Sequence, residues 1–78
     1  MVDFIISLKN GEKYHLKTEY KRISLTNKMA LYYYIEVFSK VSIKDIIEIR
    51  KPISDSELDS CSLIITVTKD MVKRYNKI

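Results

Sequence analysis

Two alternating segments joined by a glycine turn open the sequence, and they constrain the fold more than any other feature. Apolar and polar residues alternate along residues 2–8 and again along residues 13–20, which is the period of half-buried strands. The Asn-Gly dipeptide between them is a hairpin signal. A two-residue turn would place core residues opposite solvent-facing ones. We therefore predict a three-residue loop with Gly11 left-handed at a bulge and Ile6 opposite Tyr14.

The middle of the chain allows two assignments. Residues 21–29 break the alternation and carry polar turn formers, so they predict a connection. Residues 30–38 are rich in aromatic and β-branched side chains, which favours a strand. A helix that begins at Ser24 stays open as the alternative, because apolar residues also recur there at helical spacing.

The remaining segments complete a small set of elements. Residues 45–50 predict a short strand that ends before Pro52. Residues 53–62 are the most polar stretch and predict a mobile surface loop. Residues 62–68 are apolar on both faces, which suits a strand at the sheet centre. Thr68 is a good N-cap for a short C-terminal helix.

These elements predict a mainly β domain, or an α+β domain when the helix is counted. We expect about five antiparallel strands in a strongly bent sheet or a partly closed small barrel of the SH3-like or Sm-like kind, with the helix over one face or end. We expect the 78 residues to form a single domain, residues 1–78. A chain of this size buries only about 60% of its unfolded surface, so a homodimer would add stability and stays open.

Composition indicates the broad class of protein. Hydrophobic residues make up 46% and charged residues 31% of the chain, as in soluble globular proteins. No apolar run approaches the ~18 residues of a membrane span, and Asp3 stands where a signal peptide would be basic. We expect a cytoplasmic protein with no membrane contact. The 12 Ile and 11 Lys are typical of AT-rich codons and suggest a low-GC bacterium, phage or mobile element.

The sequence lacks the residue combinations of catalytic and metal sites. His15 lies mid-strand between two lysines, and we interpret it as an exposed strand histidine. Cys61 lies in an acidic stretch that raises a thiol pKa, so we expect a half-buried, unreactive thiol. The acidic residues of that stretch do not continue as a calcium loop, and Gly11 alone cannot form a phosphate-binding motif. We expect no enzyme, no metal and no cofactor.

Basic residues concentrate at two places in the chain. Residues 1–28 and residues 64–78 each carry a net charge of +3, whereas residues 51–63 carry −2. A shared basic surface beside tyrosines would bind the phosphates of a nucleic acid while its bases stack on the tyrosine rings. The predicted nucleic-acid-binding residues are Lys13, Lys17, Lys21, Arg22, Lys69, Lys73, Arg74 and Lys77.

An aromatic stripe is the other candidate surface. On a strand over residues 30–38, one face carries Tyr32, Tyr34, Glu36 and Phe38. Tyrosine is enriched at binding hot spots, so these four residues are the predicted contact with a protein partner. The alternative is that the C-terminal helix covers this face.

The sequence thus favours a small non-enzymatic module that binds a protein partner through a tyrosine-rich surface. A phage or mobile-element accessory protein that blocks a host factor, and so acts as an inhibitor, is the hypothesis that fits the codon usage. The first alternative is a nucleic-acid-binding module that uses the basic hairpin and C-terminal helix. The second is a self-assembling structural protein joined along an exposed strand or the aromatic stripe.

Overall fold

A computed structural model describes residues 1–24 and 27–77 of the chain. Leu25 and Thr26 of the predicted connection, and Ile78 of the predicted terminal helix, lie outside the described residues. In chain order the elements are β1 (Val2–Leu8), β2 (Lys13–Thr18), α1 (Lys28–Ser39), a 3-10 turn (Ile43–Asp45), β3 (Ile46–Arg50), α2 (Asp55–Asp59), β4 (Leu63–Val67) and α3 (Lys69–Tyr75).

The described strands form one open, mixed sheet in the order β3-β1-β2-β4. β1 runs antiparallel to both β2 and β3, whereas β2 and β4 run parallel. The domain is therefore a small α+β domain with a four-stranded sheet. The expectations of five antiparallel strands and of a partly closed SH3-like or Sm-like barrel are wrong, because the segment assigned to one of the strands is helical.

The opening hairpin is confirmed in its register. Ile6 lies opposite Tyr14, and Phe4 lies opposite Leu16. Gly11 adopts a φ of +89° in the three-residue loop, a conformation that side chains with a Cβ rarely adopt. The N–H of Gly11 donates to the carbonyl of Leu8 at 3.0 Å and closes the loop.

Residues 28–39 form a helix, so the predicted strand over residues 30–38 is wrong. Leu31 and Ile35 are buried one turn apart against the sheet, with Tyr32 beside them. This i, i+4 pair gives the helix an apolar face toward the core. Burial of that face outweighs the β propensity of the consecutive tyrosines, which is a weak preference and depends on context. Lys40 ends the helix in a left-handed conformation with φ of 63°.

Two predictions for the second half of the chain are wrong and two are confirmed. The segment predicted as a mobile loop contains α2, capped by the Ser54 side chain, which accepts from the Glu57 N–H. β4 is an edge strand instead of the central strand. β3 ends before Pro52 as predicted, and α3 begins after Thr68, whose side chain accepts from the Met71 N–H.

The two faces of the sheet are covered differently. Phe4, Ile6 and Leu16 point to the face covered by α1 and form the core with its buried residues. Ile5 points to the other face and is fully buried. Its register partners there are His15 on β2 and Arg50 on β3. α2 also lies on this second face, because the Arg50 side chain, which points to the same face as Ile5, binds it.

Candidate functional site

The four residues of the predicted aromatic stripe lie in different environments, because they belong to the helix α1 and not to a strand. Tyr32 is only 7% exposed and belongs to the core. The Glu36 carboxylate accepts a hydrogen bond from the Ile43 N–H at 3.2 Å, so it holds the turn that follows α1. Tyr34 and Phe38 are half-buried and pack together. The four residues therefore do not share one outward face, since a helix rotates successive side chains by about 100° where a strand alternates them.

The aromatic side chains that reach the surface come from two helices. We call Tyr33, Tyr34 and Phe38 of α1 together with Tyr75 of α3 the tyrosine cluster. Tyr75 approaches the three α1 rings with centroid distances of 6.3, 6.2 and 6.0 Å, all edge-on. Tyr34 stacks on Phe38 at 5.8 Å. These are the separations and orientations at which aromatic rings attract one another.

Hydrogen bonds between the helices fix the hydroxyl groups of the cluster. The Tyr33 and Tyr75 hydroxyls lie 3.0 Å apart. This hydrogen bond is the main cause that raises the pKa of Tyr33, and partial desolvation adds to it. The Asn76 amide donates to the Tyr34 hydroxyl at 3.1 Å. The rings and hydroxyls of the cluster are thus held in place by contacts between α1 and the end of α3.

The cluster remains open to solvent on its outer side. Tyr33 is 43% exposed and Tyr75 is 37% exposed. On the predicted strand, Tyr33 would have pointed to the face opposite the aromatic stripe, and the C-terminal helix entered only as a possible cover of that stripe. The spacing of Tyr34 and Phe38, four residues apart, was the available signal for a helical pair. No local pattern could have revealed Tyr75, because it meets Tyr33 from 42 residues away.

A second group of charged side chains is organised around one buried carboxylate. The Glu57 side chain is 8% exposed and receives both guanidinium nitrogens of Arg50 at 2.8 and 2.7 Å. Lys13 donates to it at 3.0 Å, and the Ile53 N–H donates at 2.9 Å. These contacts, with Arg50 first, hold the pKa of the Glu57 carboxyl well below its usual range. The group ties α2 to β2 and β3, which is a structural task.

The predicted nucleic-acid-binding residues divide into engaged and exposed groups. Lys13 is bound to Glu57, and Arg74, which is itself exposed, pairs with Asp70 at 3.0 Å. The other six are exposed to solvent: Lys17, Lys21, Arg22, Lys69, Lys73 and Lys77. The Glu19 carboxylate accepts from the Lys69 N–H at 2.9 Å. This contact joins the chain that follows β2 to the start of α3, so the two basic segments meet at one end of the molecule.

The remaining polar candidates occupy structural positions. His15 is buried, and its Nε2 lies 2.7 Å from an Asp3 carboxylate oxygen, so the expectation of an exposed histidine is wrong. Cys61 is half-buried as expected, and burial, followed by the Glu57 charge, raises its thiol pKa. Within residues 1–24 and 27–77, no three His, Cys, Asp or Glu side chains gather as metal ligands would.

None of the described helices combines the length and the apolar character needed to cross a bilayer. Comparison with protein families, with curated proteins and with solved structures finds no match to this chain.

Proposed function

We propose that the protein is a small non-enzymatic module that binds a protein partner through the tyrosine cluster. The observation that carries this proposal is the exposure of Tyr33 and Tyr75, whose hydroxyls are hydrogen-bonded across two helices. Aromatic side chains in a core are covered and cannot contact another protein, and an isolated exposed tyrosine is not held by a residue on another helix. The tyrosine cluster is both exposed to solvent and held in place.

The physical argument rests on the low cost of binding at such a surface. Each tyrosine offers a large apolar ring and one polar tip. Binding normally costs about 0.5–1.5 kcal/mol for each flexible side chain that becomes ordered. Edge-on packing against Phe38 and Tyr34 already orders the Tyr75 ring, so most of that cost is absent here. Preorganised aromatic side chains of this kind are typical binding hot spots.

The proposal extends to the biological role predicted from codon usage. An accessory protein of a phage or mobile element that occupies the surface of a host factor needs a compact fold and one contact surface. The tyrosine cluster on a 78-residue chain meets that need. The cytoplasmic location stays a prediction.

Affinity capture with paired variants tests the proposal. Tagged protein is incubated with lysate of a low-GC bacterium, with and without nuclease. Tyr33→Ser/Tyr75→Ser should lose the partner that wild type retains after nuclease treatment. Ile47→Ser/Ile53→Ser is the matched control, because it removes two exposed apolar side chains elsewhere and should retain that partner. Equal recovery by both double variants would refute the proposal.

Nucleic-acid binding is the second candidate function. The contact between Glu19 and Lys69 favours it, because it brings the basic segments of the hairpin and of α3 together. Each lysine that neutralises a phosphate makes binding steeply dependent on salt. If the protein binds nucleic acid through this surface, Lys73→Glu/Arg74→Glu/Lys77→Glu should abolish binding to a single-stranded oligonucleotide. Unchanged binding by that variant would exclude α3 as the contact.

A further inference from the structure

The net charge of the protein lies on the two helices that carry the tyrosine cluster. Residues 28–40, which are α1 and its C-cap, carry two lysines and one glutamate, a net charge of +1. Residues 69–77, which include α3, carry four basic residues and one aspartate, a net charge of +3. Together these segments carry +4, which is the formal net charge of the whole chain. The rest of the chain carries eight basic and eight acidic side chains, so it is neutral as a whole.

Carboxylates that neighbour the two helices reduce this charge without cancelling it. The Glu19 carboxylate accepts from the Lys69 N–H at 2.9 Å, at the end of α3 away from Tyr75. Burial, and after it the charge of Glu48, raises the pKa of Tyr32. The 3-10 turn after α1 adds one lysine and one aspartate, which offset each other. With all of these groups counted, a net charge of +2 remains.

Exposed lysines and an apolar side chain extend the tyrosine cluster. Lys73 and Lys77 lie two residues before and two residues after Tyr75, both are exposed, and no acidic residue lies between them. On α1, Met29 lies four residues before Tyr33, on the same side of the helix, and is 65% exposed. Methionine is a flexible apolar side chain that adapts to a contacting protein. The surface thus combines apolar groups from α1 with ammonium groups from α3.

We propose that the partner of the tyrosine cluster presents an acidic protein segment, in which aspartate or glutamate side chains flank an apolar one. This inference rests on the proposed function and names the chemistry of the partner. The apolar side chain packs on Tyr33, Tyr75 and Met29, and the carboxylates lie against Lys73 and Lys77. Opposite potentials across an interface accelerate encounter and suppress wrong partners. A partner with a basic surface is repelled.

The same charge argues against a second copy of this chain as the occupant. A two-fold contact through the tyrosine cluster would bring two basic helix pairs together, and like charges across an interface are unfavourable. The homodimer is therefore the less favoured occupant of this surface.

The arrangement of the rings favours an acidic protein over a nucleic acid. Bases that stack on aromatic side chains need open ring faces. Here Tyr34 stacks on Phe38, and Tyr75 meets the three α1 rings edge-on, so the rings cover one another's faces. Exposed Met29 gives a protein an apolar contact and gives a phosphate none.

Selection of peptides from a random library displayed on phage tests the proposal, with the immobilised full chain as the target. The selected peptides should carry an excess of Asp and Glu around an apolar residue. A selected peptide with a fluorescent label is then titrated with each variant and followed by anisotropy. Tyr33→Ser/Tyr75→Ser should lose binding. Lys73→Glu/Lys77→Glu should raise the dissociation constant by roughly 10-fold or more at low salt, because it places like charges against the peptide. That loss should shrink at 1 M salt, where the Debye length is about 3 Å.

Lys9→Glu/Lys17→Glu is the matched control. It changes the net charge by the same amount at two exposed lysines. One lies in the hairpin loop, and the other points to the face of the sheet opposite α1, with His15. This control should bind the peptide close to wild type, and a loss equal to that of Lys73→Glu/Lys77→Glu would overturn the contact at α3. Should the latter variant fail to fold by circular dichroism, Lys73→Gln/Lys77→Gln replaces it.

The outcomes separate this inference from the proposed function. Peptides that need Tyr33 and Tyr75 but carry no acidic excess would overturn the acidic partner and leave the proposed function intact. Selected peptides that bind equally well to Tyr33→Ser/Tyr75→Ser, or no selected peptide at all, would refute both. Binding of labelled oligothymidylate that both the tyrosine and the α3 lysine variants abolish would assign the surface to nucleic acid. A wild type that sediments as a dimer until both tyrosines are replaced would assign it to a second copy. Either result would overturn the acidic partner.

Discussion

Replacement of Tyr32 and of its neighbour Tyr33 by alanine should affect stability very differently. Tyr32 is 7% exposed and packs in the core, with its ring also approached by the Lys28 ammonium at 5.7 Å. An aromatic side chain buries about 150–250 Å², which at about 25 cal/mol per Å² corresponds to roughly 4–6 kcal/mol as an upper bound. Measured losses for buried aromatic residues are about 3–5 kcal/mol, and this is the decrease we expect for Tyr32→Ala.

That loss is large for a chain of this size. Domains have about 0.05–0.15 kcal/mol of stability per residue, which gives about 4–12 kcal/mol for 78 residues, so Tyr32→Ala removes between roughly a quarter and all of the stability. The melting temperature should fall by at least ~12 °C, since each kcal/mol shifts a small domain by about 4–8 °C. Urea unfolding followed by circular dichroism measures the change, with Tyr33→Ala as the control that should lose much less stability, since Tyr33 is 43% exposed. A greater loss of stability with Tyr33→Ala than with Tyr32→Ala would refute the assignment of Tyr32 to the face of α1 that packs in the core.

Three further predictions concern single side chains. The Glu57 carboxyl has a lowered pKa in the folded state. Its contribution to the free energy of unfolding is therefore present above the ordinary pKa of 4.5 and is lost as the pH falls below that value toward the folded-state pKa. The melting temperature of Glu57→Gln should change less than that of wild type over this acidic range. Gly11→Ala should cost about 1–2 kcal/mol through backbone strain alone, because an added Cβ meets no atom within 4 Å, and Gly11→Asn should cost less in the same urea titration. The Cys61 thiol, with its raised pKa, should react slowly with a thiol reagent at neutral pH and faster in urea, and equal rates would contradict its partial burial.

Local patterns predicted the parts of the fold that depend on neighbouring residues. The hairpin register follows from alternation and one glycine, and the start of α3 follows from the capping side chain of Thr68. Both features are set within a few residues of chain. The sequence therefore predicted them correctly.

Long-range packing decided what the sequence could not predict. α1 is helical because Leu31 and Ile35 bury one face against the sheet, and consecutive tyrosines conceal that spacing. β4 is apolar on both faces but lies at an edge, because strand order depends on the crossover and not on hydrophobicity. The tyrosine cluster needs Tyr75 beside Tyr33, and Glu57 needs Lys13 from 44 residues away. Such pairings leave no periodic signal in the sequence.

Amide chemical-shift mapping tests the tyrosine cluster as the partner-binding surface most directly. Isotope-labelled protein is titrated with the partner recovered by capture, and the shifted amides are assigned. The account predicts shifts concentrated in residues 33–38 of α1 and 72–76 in and after α3. Shifts confined to residues 17–22 and the exposed lysines of α3, or to β4, with α1 unchanged, would contradict it.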